Sequence, residues 1–100
     1  MYIQQGDTLY YPEALPEGLE LLNTNVVQEG EATGHAHRLS GDSFQLYQHP
    51  KTKEKFLRLV EPTALRHEEH KEIILPPGDY RIGIVREYDH FSEEARKVAD

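Results

Sequence analysis

Two short segments carry most of the chemistry this chain could perform. Gly34-His35-Ala36-His37 sets two imidazoles two residues apart, and His67-Glu68-Glu69-His70 sets two more three residues apart with carboxylates between them. On a strand, residues i and i+2 point to the same face, so His35 and His37 can close on one ion. On a helical turn, i and i+3 are neighbours, so His67 and His70 can do the same, with Thr63 as a cap where residues 62–65 open the turn. Glu68 and Glu69 add oxygen donors, either as ligands or as partners that orient an imidazole N–H. Together these residues form a nitrogen and oxygen ligand set for a divalent transition metal such as Zn, Fe, Mn, Ni or Cu, with geometry choosing among them. Three protein ligands and an open position would generate a nucleophilic water, whereas four bound imidazoles would close the site and make it structural.

A second chemistry needs no metal. Two histidines from separate segments can serve as general acid and general base, as in a phosphodiesterase or ribonuclease, with Arg38, Arg58, Arg66, Lys51, Lys53 or Lys55 holding the phosphate. The formal charge of −7, from 18 acidic and 11 basic residues, opposes nucleic acid as a partner. Affinity for its backbone comes from Lys and Arg neutralising phosphates. A third reading is a non-enzymatic protein-interaction module, presenting a strand edge or the terminal helix. The remaining histidines, His49 before Pro50 and His90, read as solvent-facing.

Composition narrows the field further. With no Cys among 100 residues, disulfide scaffolds, thiol nucleophiles, iron–sulfur sites and Cys-type zinc fingers are excluded. No apolar run approaches the ~20 residues of a membrane span. The first seven residues lack the basic and apolar regions of a signal peptide, so a soluble cytoplasmic protein without membrane association is expected.

The elements that must position these side chains are short. Turn signals recur at Gly6-Asp7, Pro16-Glu17-Gly18, Gly34, Ser40-Gly41-Asp42, His49-Pro50 and Pro76-Pro77-Gly78-Asp79. The stretches between them alternate or are apolar, which predicts strands over 8–11, 25–29, 32–39, 43–48, 55–60, 72–75 and 80–88. Residues 43–48 and 55–60 read as a hairpin with a charged tip. Residues 72–75 and 80–88 read as a second hairpin, with Pro77 and Gly78 at the centre of a type II turn. Ser92 can cap a short helix over 92–99, with acids in its first turn and bases in its last. The expectation is one all-β domain over residues 1–100, a small barrel or sandwich of short antiparallel strands with one short C-terminal helix. Its core candidates are Leu9, Val26, Phe44, Leu46, Leu57, Leu59, Ile73, Leu75, Ile82, Ile84 and Val85. A core of that size only balances chain entropy, so metal binding or formation of a homodimer would matter to stability, and a small-molecule ligand is a further expected partner.

His35-Ala36-His37 and Pro76-Pro77-Gly78 resemble the two short motifs of the cupin family, a His-x-His pair and a Pro-x-Gly turn. The resemblance covers about half the chain and implies a small metal-binding β-barrel with His35 and His37 as ligands. Asp42 stands where that family has a Glu ligand, and Arg81 where it has its last His. His67 and His70 could take those places if the segment before Glu72 folds over the barrel mouth. The order Gly-His-x-His-Arg, His-Glu-Glu-His, Leu-Pro-Pro-Gly-x-Tyr-Arg is also similar to that of small bacterial and phage-type proteins of unassigned activity, and implies no chemistry of its own.

Overall fold

Alternation of apolar and polar side chains organises this chain into strands: along Thr8–Pro12 and Gly78–Ile84, Thr8, Tyr10, Tyr80 and Ile82 turn to one face and are buried. The computed structural model describes residues 1–30 and 34–85. Among these residues lie strands β1 (Ile3–Gln5), β2 (Thr8–Pro12), β3 (Glu20–Leu21), β4 (Val26–Glu29), β5 (Ala36–Leu39), β6 (Phe44–Gln48), β7 (Lys55–Leu59), β8 (Thr63–Arg66), β9 (Ile73–Leu75) and β10 (Gly78–Ile84), and no helix. The terminal helix expected over 92–99 lies outside the described residues, as do His90 and residues 32–33 and 86–88 of two expected strands. No helix among the described residues is long and apolar enough to cross a membrane.

The strands form two antiparallel sheets. One has six strands in the order β1-β2-β10-β7-β6-β3, the other four in the order β4-β5-β8-β9. Their inner faces share one core, to which the larger sheet contributes Tyr10, Leu46, Leu57, Leu59, Tyr80 and Ile82, and the smaller Val27, Leu39, Leu65 and Leu75. Closing a barrel requires every strand to be bonded on both sides. Here β1 and β3 end one sheet and β4 and β9 the other, so the fold is two packed layers and not the closed barrel that the cupin resemblance implies.

Three further expectations are corrected. The β6–β7 hairpin forms as read, with Gln48 opposite Lys55, but residues 72–75 and 80–88 do not make a hairpin. Strand β9 pairs with β8 and β10 with β2 and β7, so Pro76-Pro77 is a crossover between sheets. Two prolines without amide hydrogens cannot extend a ladder, and Gly78 takes a φ of 146°, far from the ~80° of a type II turn. The Tyr80 hydroxyl ties the crossover down by donating to the Pro76 carbonyl at 2.6 Å. Next, the helical turn expected at 62–70 is strand β8 followed by a bend, because Thr63, Leu65 and His67 alternate into the core at period two. Finally, the buried residues of β2 and β4 are Tyr10 and Val27 and not Leu9 and Val26. A shift of one residue exchanges the faces of a strand. In β2 the polar Thr8 accompanies Tyr10 inward and accepts its hydroxyl hydrogen at 2.9 Å, and in β4 the register shifts between Val26 and Gln28.

Candidate metal centre

Strand pairing brings the two histidine segments together. Strands β5 and β8 run antiparallel with Arg38 opposite Arg66 and Leu39 opposite Leu65. Continuing that register by one residue sets His37 beside His67, both on the face that carries Leu39 and Leu65 into the core. Their rings lie 4.4 Å apart. The bend after β8 returns His70 to within 4.6 Å of His67 and nearly parallel to His37, at 13° and 5.8 Å. His35, just ahead of β5, meets His67 edge-on at 5.6 Å. Four imidazoles from segments some thirty residues apart thus meet at one end of the core.

His37 is the most enclosed of them, with none of its surface exposed. Its Nδ1 faces Gln5 Oε1 at 2.8 Å and its Nε2 faces Asp7 Oδ1 at 3.1 Å. The Gln5 amide cannot be reversed, because its Nε2 donates to the carbonyls of Leu65 and Lys71, both at 2.9 Å. Two acceptors therefore flank the ring. Nδ1 is engaged by Gln5 and Nε2 by the Asp7 side chain. Neither nitrogen of His37 presents a lone pair outward in this arrangement. Thr8 adds to the same turn by donating its hydroxyl to the Gln5 carbonyl at 2.8 Å. The β1–β2 turn is in this way bonded to both strands that carry the histidines.

Three other side chains converge as ligands would. Donor atoms of His35, His67 and Glu68 all lie within 4.8 Å of one another. Glu68 is held as a ligand carboxylate should be: Oε1 accepts the Ala36 amide at 2.9 Å and Oε2 accepts Arg38 Nη1 at 2.7 Å. The Ala36 amide first, and the Arg38 guanidinium second, push its carboxyl down to about 2, so it is ionised at neutral pH. A carboxylate has about four acceptor positions, more than these bonds and the one from its own amide take up. His67 Nδ1 accepts the Glu69 amide at 3.0 Å, which places the hydrogen of a neutral ring on Nε2. The lone pair a metal would take is thus the one that amide occupies. Releasing it costs about 0.5–1.5 kcal/mol, small against the ~10 kcal/mol or more with which zinc binds protein sites at neutral pH.

The remaining sequence candidates take other positions. Glu69 Oε2 stands 3.9 Å from His35 Nδ1, and His70 packs on the neighbouring rings outside the group of three donors. His49 closes the β6–β7 turn, its Nδ1 accepting the amides of Lys51 and Thr52 at 3.1 and 3.3 Å. Lys55 spans the layers to donate to the Val27 carbonyl at 2.7 Å, and its burial lowers the ammonium. Arg58 forms a two-pronged pair with Asp79 across the strands, which holds that carboxyl below its usual range. Gln5 and Asp7 were not among the residues singled out from sequence. The available signal was Gln5 at period two from Ile3, a polar side chain on an inward face.

Comparison with known proteins adds one finding. The family described as a domain of unknown function (DUF8820) matches residues 4–85, a span that contains both histidine segments and the β1–β2 turn. No curated protein and no solved structure matches the chain.

Proposed function

We propose that this chain, which belongs to the DUF8820 family, is a metal-binding β domain in which His35, His67 and Glu68 hold one divalent transition metal. The observation that supports this reading is the convergence of two imidazoles and an ionised, doubly oriented carboxylate from β5 and the bend after β8. Two nitrogens and one oxygen suit Zn²⁺ or Fe²⁺, and three protein ligands leave positions for water or a small-molecule ligand. Arg38 and the Ala36 amide orient the carboxylate, and outer partners of that kind are worth about 10–100-fold in metal affinity. His37, fastened to Gln5 and Asp7, supports His67 from the buried side through ring contact.

Calorimetric titration of chelator-treated protein with Zn²⁺ tests the reading. One equivalent should bind, and at a free concentration of about 100 times Kd the domain should gain about 2.7 kcal/mol. His35→Ala should abolish the zinc-dependent rise in melting temperature while leaving the metal-free domain folded. No heat of binding and no thermal shift with Zn²⁺, Fe²⁺ or Ni²⁺ would remove the proposal.

A further inference from the structure

The outer face of the smaller sheet carries a pair of arginines, of which the metal reading uses only Arg38. Arg38 and Arg66 stand directly opposite each other on β5 and β8, and point away from the core because their neighbours Leu39 and Leu65 point into it. Like charges in that position repel and weaken a strand pair. Each guanidinium has a carboxylate beside it: Arg38 Nη1 meets Glu68 Oε2 at 2.7 Å, and Arg66 Nε meets Glu72 Oε1 at 2.9 Å. A guanidinium has five donors, so neither pairing exhausts it. The two arginines line a cavity of about 610 Å³ whose wall also includes Asn25, Ser40, His67 and Glu68. The cavity thus joins two fork-shaped cations to two of the three proposed metal ligands.

We propose that this cavity binds the oxyanion head, phosphate or carboxylate, of a small-molecule ligand through Arg38 and Arg66. Planar guanidinium forks match the paired oxygens of either group, and the donors that Glu68 and Glu72 leave over are the ones that would take them. Asn25 and Ser40 supply neutral polar groups at the same wall. The volume suits a small molecule, and the net charge of −7 opposes a nucleic-acid backbone. Presentation of that ligand to a metal held by His35, His67 and Glu68 rests on the preceding proposal; recognition of the anion does not.

The test is an amide-resolved NMR titration of the full chain, freed of metal by chelating resin, with sodium phosphate and with sodium acetate at an ionic strength fixed by sodium chloride. Saturable shifts should appear at residues 38–41 and 66–68 with one or both anions. Phosphate alone identifies a phosphorylated ligand and acetate alone a carboxylic one. Arg66→Gln should weaken that binding about tenfold or more, the loss of one charge-assisted hydrogen bond, and Arg66→Lys should restore only part of it. Zinc stoichiometry in Arg66→Gln should be unchanged. Shifts no larger than those with chloride, or full affinity in Arg66→Gln, would overturn the inference. Anion binding in a protein that takes no zinc would instead remove the metal proposal and leave this one standing.

Discussion

The middle of the two-layered core and its histidine end each hold wholly buried side chains, but by different forces. In the middle, Leu46, Leu57, Leu65 and Leu75 are wholly buried and held by apolar contact, which has no preferred direction. At the end, His37 is equally buried but is fixed by bonds to Gln5 and Asp7, and Gln5 by bonds to two carbonyls. Apolar packing tolerates a change of shape provided volume is kept. A buried polar network tolerates little, because a group left without its partner pays its full desolvation cost. The polar end is therefore built to hold geometry, which is what a ligand site requires, and the apolar middle to hold the sheets together.

The largest effect that would sharpen this contrast is at His37. His37→Ala leaves Asp7 and Gln5 facing a void and should cost about 3–5 kcal/mol in urea denaturation, the sum of a cavity and of two buried polar groups that lose their partner. Leu57→Ala should cost about 2–5 kcal/mol from transfer and cavity terms. The two regions separate under volume-conserving change: Leu57→Met should cost less than about 1.5 kcal/mol, while His37→Leu should stay close to the His37→Ala value. Equal costs for Leu57→Met and His37→Leu would break the comparison.

Gln5→Leu comes next. It removes the acceptor of His37 Nδ1 and both donors to Leu65 and Lys71, and should cost about 1–3 kcal/mol. It should also increase hydrogen exchange at residues 65–71 more than at β6 or β7. Uniform exchange changes would show that the β1–β2 turn does not hold the histidine segment.

The smallest effect is the acid response of Glu68. Its native carboxyl titrates near 2 against 4.5 for the free group, so the unfolded chain takes up the proton first. The stability it adds is complete above pH 4.5 and is lost as pH falls towards 2. Glu68→Gln should therefore show a flatter decline in stability than the parent chain across that interval, and the same decline above it. Parallel acid limbs for the two proteins would show that the bonds from Ala36 and Arg38 contribute nothing to folding.

The all-β class, most strand positions, the β6–β7 hairpin and the nomination of both histidine segments were legible without coordinates. Period-two alternation and residue type are local properties of a sequence. The errors fell where local pattern leaves two outcomes of similar energy. Pro76-Pro77-Gly78 can turn a hairpin or step between layers, Leu9 and Tyr10 can each face inward, and residues 62–70 can begin a helix or extend a strand. Tertiary packing chose in each case, by pairing β9 and β10 with different strands and by setting Tyr10, Leu65 and His67 into the core. The chain by itself determined which side chains are able to bind a metal or an anion. Only the folded structure decided that His37 is committed to Gln5 and Asp7, and that His35, His67 and Glu68 share one locus beside an arginine pair. Those relations depend on registers between strands some thirty residues apart, and a register is fixed by the sum of many core contacts and not by any one segment.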